Sequence, residues 1–226
     1  MIQLPKRKKR LESAASVLDR LERTGRVLTL VVLVLLLGAT VGGLVYPLGP
    51  APKKSDFHAL GTQSAPVRLV IPSLHVDAPI VPIAVENSTL TPPSNFKDVG
   101  WWNGSAKVGS PTGQTVITGH TVHTGGGQMD NLGSIQNGAI VKVITKAGTV
   151  WYRETQVLVY SKKQVADHAQ DLFNQDRKKN RLVLITCTGW TGDGYTSNVI
   201  VFADPLGVPK PGVAKKFANS LGGTGS

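Results

Sequence analysis

The sequence predicts a mainly β domain held at a membrane by one N-terminal helix. Three observations point there: an uncharged run of 20 residues near the N-terminus, seven short β-rich runs set between turn residues, and a single cysteine in 226 residues. A hydrophobic fraction of 41% suits a folded core and excludes wholesale disorder. One cysteine excludes an internal disulfide, so an exported domain must be held by its own core.

The anchor comes first. Val27 to Tyr46 reads VLTLVVLVLLLGATVGGLVY, without a charge or a polar stripe. About 20 apolar helical residues cross the hydrocarbon core of a bilayer. A cleaved signal sequence has a shorter apolar stretch, about 7–15 residues, and a small-residue cleavage site. Tyr46-Pro47-Leu48 is not such a site, so the run reads as an uncleaved transmembrane helix over 27–46. The chain carries 25 Lys/Arg against 14 Asp/Glu, and residues 1–26 hold eight of the former and three of the latter. Lys6, Arg7, Lys8, Lys9, Arg10, Arg20, Arg23 and Arg26 all precede the run. The positive-inside rule then puts 1–26 in the cytoplasm and 47–226 outside, a single-pass protein of the cell membrane. Beside a membrane span the basic run serves anionic headgroups, and no nucleic-acid partner is expected.

Residues 47–66, with GPAPKKS and few apolar side chains, read as a linker. The ordered domain is expected over 67–206. Its β-rich runs are Val67–Ile71, Ala78–Val85, Thr115–Thr118, Ala139–Thr145, Val150–Tyr160, Leu182–Thr186 and Val199–Ala203. Short strands with frequent turn signals suggest an all-β barrel or sandwich. Lys162–Phe173 is the best helix candidate. Residues 207–226, rich in Pro, Gly and Lys and ending GGTGS, read as a flexible tail.

The chemistry gathers at two strand ends. Cys187 closes Arg181-Leu182-Val183-Leu184-Ile185-Thr186, where a Gly-rich loop begins. Alternation puts Leu182, Leu184 and Thr186 on one face, and Val183, Ile185 and Cys187 on the other. A lone cysteine is commonly a small buried hydrophobe. An exported free thiol is also an oxidation risk, so its presence asks for a reason. A thiol nucleophile needs a base or a cation nearby. Of the five histidines, His58 lies in the linker, His75 in a turn and His168 on the candidate helix, while His120 closes Val116-Ile117-Thr118-Gly119, another strand that ends at a glycine. His120 and His123 lack a third ligand at metal spacing, so neither a metal nor another cofactor is expected.

These stretches resemble the bacterial sortases, membrane-anchored cysteine transpeptidases of Gram-positive cell walls. Val67 to Ile80 (VRLVIPSLHVDAPI) looks like their opening strand and turn. Val99-Gly100-Trp101-Trp102, followed by Gly109, Gly113 and Val116 to His120, resembles the approach to their histidine. Leu182 to Cys187 is similar to their T-L-x-T-C motif, and the Cys follows the His by 67 residues, in the family's order. Within the family the sequence looks closest to actinobacterial, class E/F-like members. The resemblance implies a closed eight-stranded barrel with one or two short helices. It implies cleavage of an LPxTG-like protein substrate between Thr and Gly, with Cys187 as nucleophile and His120 as general acid and base. The acyl group would pass through a thioester to an amine of a peptidoglycan precursor or a pilin.

One departure stands out. Sortases carry an Arg on the strand after the Cys loop, and Gly194 to Ala203 contains none. Two alignments put Asn198 or Thr196 in its place, two positions apart and so on one face. Asn198 is the candidate donor, neutral where the family has a charge. Arg153, and after it Arg68, are candidates to compensate. Thr186, Thr196 and Trp190 are candidate substrate-binding residues, with simple packing the alternative for Thr186 and Trp190. The competing reading, favoured by the missing Arg, is a membrane-tethered β-domain that binds a partner without catalysis. An L,D-transpeptidase fits less well, since its S-x-G-C motif differs from Leu184-Ile185-Thr186-Cys187.

Overall fold

The computed structural model of the protein describes residues 52–221. The basic segment and Val27–Tyr46 lie outside the described residues. Among those described, no helix is long and apolar enough to cross a membrane.

Eleven strands follow in order: β1 (Phe57–His58), β2 (Pro66–Ile71), β3 (Val76–Ile83), β4 (Val85–Glu86), β5 (Thr89–Leu90), β6 (Val99–Trp102), β7 (Gln114–Gly119), β8 (Ile140–Thr145), β9 (Gly148–Ser161), β10 (Arg181–Trp190) and β11 (Tyr195–Pro209). Helices α1 (Lys162–Asp167) and α2 (Ala169–Phe173) join β9 to β10, and α3 (Val213–Leu221) follows β11. Neighbouring strands run β11-β10-β7-β6-β3-β2-β8-β9, and β9 pairs again with β11. That last pairing closes a ring of eight strands, so the choice between barrel and sandwich falls to the barrel. β7–β10 and β3–β6 are parallel pairs, and the remaining neighbours are antiparallel.

Strand alternation decides what lies inside. Leu182 and Leu184 of β10 join Leu69, Ile71, Ile117, Val141, Val143, Tyr152 and Val201 in the barrel's core. The intervening Val183 and Ile185 point the other way, into an outer cluster with Val116, Ile200, Phe202 and Leu172 of α2. A fully buried Leu or Ile contributes about 2 kcal/mol through apolar burial, so both layers hold the sheet. The expected helix over Lys162–Phe173 is two short ones, parted at His168, whose ring stacks on Tyr160 at 4.7 Å. Ser161 and Gln164 form a capping box that starts α1 at the end of β9.

The ordered chain extends past both expected limits. Within the stretch read as linker, Phe57–His58 pairs with Val208 and Pro209, and Phe57 is buried against Trp151. Within the stretch read as tail, β11 continues to Pro209 and α3 lays Val213 and Phe217 on the same Phe57–Trp151 cluster. Gly207 permits this seam: its φ is +117°, and a Cβ there would collide with the His58 carbonyl. Strand β6 (VGWW) is too short to alternate visibly in sequence. It fits because Gly100 leaves its space to Ile83 of parallel β3, whose Cδ1 lies 2.5 Å from where a Cβ would stand.

Candidate active site

The end of β7 and the later half of β10 build the site; β10 does not stop at Cys187, where the sequence suggests a loop, but runs on to Trp190. Parallel β7 and β10 are in register from Arg181–Gln114 to Ile185–Thr118. Carried two residues further, the same offset brings His120, the first residue after β7, level with Cys187 of β10. Thr186 ties these ends together. It is 2% exposed, donates to the Gly119 carbonyl at 2.9 Å and meets the Thr121 hydroxyl at 2.7 Å. Both contacts are hydrogen bonds that join β10 to the end of β7. The parity of Thr186 is that of Leu182 and Leu184, so Cys187 emerges on the outer face with Ile185, half-buried rather than sealed in the barrel.

Antiparallel β11 supplies the other neighbour. Asn198 is the direct cross-strand partner of Cys187, and Tyr160 of β9 is the partner of Asn198. The Asn198 amide NH₂ donates to the Thr186 carbonyl at 3.2 Å and to Cys187 Sγ at 3.9 Å. Tyr160, Asn198 and Cys187 therefore form one row across β9, β11 and β10, and His120 follows the end of the next strand, β7. Thr196, two residues before Asn198, is exposed and donates to the Gly189 carbonyl at 3.0 Å. Gly189 has φ +72°, and a Cβ there would stand 2.6 Å from Thr196 Oγ1, so the hairpin after the Cys depends on this glycine.

The loop after His120 is fastened by Asp130. Its carboxylate accepts from Val122 N at 2.7 Å and Gly127 N at 2.9 Å, while Met129 plugs into the core. His123 of this loop stacks on Trp190 at 4.0 Å with planes 1° apart, and Trp190 meets Tyr195 edge-on at 5.1 Å. Three rings thus bridge the His120 loop to the Cys187 hairpin. Trp190 is still 42% exposed. Among the described residues no group of three or more His, Cys, Asp or Glu is placed to hold a metal ion.

Electrostatics at the sulfur are simple. Burial pushes the Cys187 thiol above its usual range, and the positive charge of Lys162 pulls it back in part. Lys162 begins α1, one residue after Ser161, which pairs with Ser197 beside Asn198. The two arginines expected to compensate lie elsewhere. Arg68 is bonded to Asp77 at 2.5 Å on the β2–β3 pair, with β3, β6 and β7 between it and β10. Arg153 gives its guanidinium to the Pro52 carbonyl and sits opposite Asp204, six residues or about 20 Å along β11 from Asn198. Long-range pairing fixes where each falls.

A closed barrel with a cysteine on one strand and a histidine just past the end of the adjoining parallel strand is the layout of a sortase-type domain. A sortase-domain family model matches residues 69–206, more than half of the sequence, and the chain belongs to the sortase family. Among solved structures, sortase C-1 from Actinomyces oris is 26% identical, with 63% of this chain and 73% of that one covered and a TM-score of 0.50. Sortase A from Corynebacterium diphtheriae is 20% identical, with 68% and 66% covered and a TM-score of 0.53. Sortase C from Streptococcus pneumoniae is 18% identical, with 67% and 71% covered and a TM-score of 0.52. At those last two identities the likeness is one of fold. No curated protein sequence matches the chain.

Proposed function

We propose that the protein is a cysteine transpeptidase that cleaves an LPxTG-like sorting signal between Thr and Gly and joins the acyl group to an amine. The observation that carries this is Cys187 on the outer face of β10, with Asn198 opposite it on β11 and His120 directly after the end of the neighbouring β7. Cys187 gives up its proton to His120, and the sulfur attacks the Thr carbonyl carbon. The carbonyl electron pair moves to oxygen and returns as the C–N bond breaks. The departing amine takes the proton from His120, leaving a thioester on Cys187. An incoming amine then gives its proton to His120 and displaces the sulfur. Asn198 holds Sγ through its amide and steadies it as charge appears. Trp190 and Tyr195 wall the cleft and favour the amine over water.

The acceptor is an amine of a peptidoglycan precursor or of a pilin. The domain works outside the cell membrane, tethered by a single helix at 27–46 with its N-terminus in the cytoplasm. Whole protein incubated with an LPxTG peptide should give an acyl-enzyme adduct by mass spectrometry. Cys187→Ala should keep its melting temperature and lose the adduct completely. An adduct that survives in Cys187→Ala ends this reading. No adduct in the parent, with slow thiol labelling untouched by His120→Ala, would favour the binding-only β-domain, to which the arginine-free β11 lends some support.

A further inference from the structure

We propose that the end of the barrel remote from Cys187 is a docking surface for anionic phospholipid, and that the domain stands on the bilayer by that end. The inference rests on the membrane anchor at 27–46 and not on the transpeptidase chemistry, so either can fail without the other.

Pairing register sets the two ends apart. Cys187 lies opposite Asn198, and β11 then runs eleven residues, about 36 Å, to Pro209, which pairs with Phe57. The start of β10 is at this remote end too, since Arg181 opens the strand six residues before Cys187. A cavity of about 360 Å³ shows that the segments meet there, for Lys54, Phe57, Asn180 and Leu206 all line it.

Charge is divided unequally between the ends. Residues 52–58, 174–180 and 204–217, at the remote end, hold eight Lys/Arg against three Asp/Glu. Residues 120–139, 161–167 and 187–198, around Cys187, hold two against three. Lys53, Lys54, Lys178, Lys179, Lys215 and Lys216 are exposed, and none is in an ion pair among the described residues. The helix that carries two of them is fixed to the barrel. Phe217 of α3 meets Trp151 edge-on at 5.0 Å, and Val213 packs on the same cluster, while Lys215 and Lys216 are left to solvent. Lys210 Nζ donates to the Ser55 carbonyl at 2.8 Å, which clamps the approach to α3 onto the approach to β1. The lysines therefore form one fixed surface drawn from three separate segments.

Chain length says what this surface meets. From Tyr46, where the apolar run ends, to Lys53 there are seven residues, which span at most about 25 Å in any conformation. The basic end is thus held within that distance of the headgroups, while Cys187 lies up to about 36 Å beyond it along β11. Fixed, unpaired ammonium groups kept so near an anionic surface are drawn onto it. The end around Cys187, with its slight acidic excess, has no such attraction and is left facing away from the lipid.

The test uses the full chain reconstituted in vesicles of phosphatidylcholine, with or without phosphatidylglycerol. Amine acetylation is read lysine by lysine by mass spectrometry. With phosphatidylglycerol present, labelling of Lys178, Lys179, Lys210, Lys215 and Lys216 should slow about fivefold, and high salt should restore it. Lys162 and Lys163, beside the Cys187 end, should label alike in both vesicles. In the variant with Lys178→Gln, Lys179→Gln, Lys215→Gln and Lys216→Gln, the slowing at Lys210 should vanish. Equal labelling in the two vesicles overturns the docking and leaves the anchor standing. Equal slowing at Lys162 and Lys163 also overturns it, since no end is then preferred. Slowing by soluble poly(glycerol phosphate) but not by the vesicles assigns the surface to an anionic polymer and overturns the lipid. A full chain that stays out of both vesicles overturns the anchor, and the docking with it. None of these outcomes depends on peptide acylation.

Discussion

The parallel strands β7 and β10 carry polar residues at both ends, and the two ends are built differently. At the starting end, Gln114 is fully buried and every polar group of its side chain is used. Its amide donates to the Asp171 and Asn174 carbonyls at 3.0 and 2.9 Å, and its oxygen accepts from Arg181 Nε at 2.8 Å. The Arg181 guanidinium also meets the Asp171 carboxylate at 2.9 Å and covers the Phe202 ring at 3.9 Å. At the finishing end, Cys187 has one long bond from Asn198, and burial pushes its thiol above the usual range. The first end is a closed network that fixes α2 to the barrel. The second leaves its sulfur half-exposed, held by a single long bond. One pair of strands thus separates stability from chemistry by about 20 Å of sheet.

Substitutions can break that division. The largest stability effect is expected at the closed end. Gln114→Leu strands two carbonyls and the Arg181 Nε–H, and should cost about 3 kcal/mol. Urea unfolding would measure it, and acylation per folded molecule should stay at the parental level. A drop in that specific activity would mean the ends are coupled. Thr186→Val is the intermediate case, since Thr186 is buried yet ties the His120 strand to the Cys187 strand. It should cost about 1–2 kcal/mol through the lost bond to Gly119 and lower acylation as well. A purely thermodynamic effect would show that the two strand ends hold their places without it.

At the open end, burial raises the Cys187 thiol, so alkylation should climb with pH through a midpoint above the roughly 8.5 of an unperturbed cysteine. The sign for folding follows. The folded state holds this proton more tightly, so the contribution is complete below the unfolded value and is lost as pH rises through the folded midpoint. Comparing the pH dependence of melting between the parent and Cys187→Ala isolates it. The smallest stability effect belongs to Trp190→Ala. Its exposed stack on His123 should count for under about 1 kcal/mol, while KM for the peptide rises more than kcat falls. A large loss of stability there would make the ring bridge part of the scaffold.

Much of this was legible in sequence because local pattern carried it. The alternation of Leu182 to Cys187 gave both faces of β10 correctly, and a glycine before His120 marked the end of β7. The barrel's closure was not local: β9 meets β11 across a connection that includes two helices and all of β10. Arg68 and Arg153 were weighed as partners by charge, yet Asp77 and the Pro52 carbonyl hold them. Phe57 and Phe217 gave no strand or core signal alone, since each is short of apolar neighbours in sequence and finds them on Trp151.

The long strand β11 has a further consequence for how this scaffold can diversify. Asn198 to Phe202 pair without interruption on β9, and the first register shift comes only between Phe202 and Ala203. One residue inserted within that stretch would swing Asn198 to the opposite side of the sheet and take the sulfur's donor away. Thr191 to Asp193, at the exposed hairpin tip, lie outside the paired stretch and are closed by the Thr191–Gly194 bond. New length grafted there leaves the frame untouched, so changes in what the cleft accepts can accumulate at the tip without resetting the reactive row.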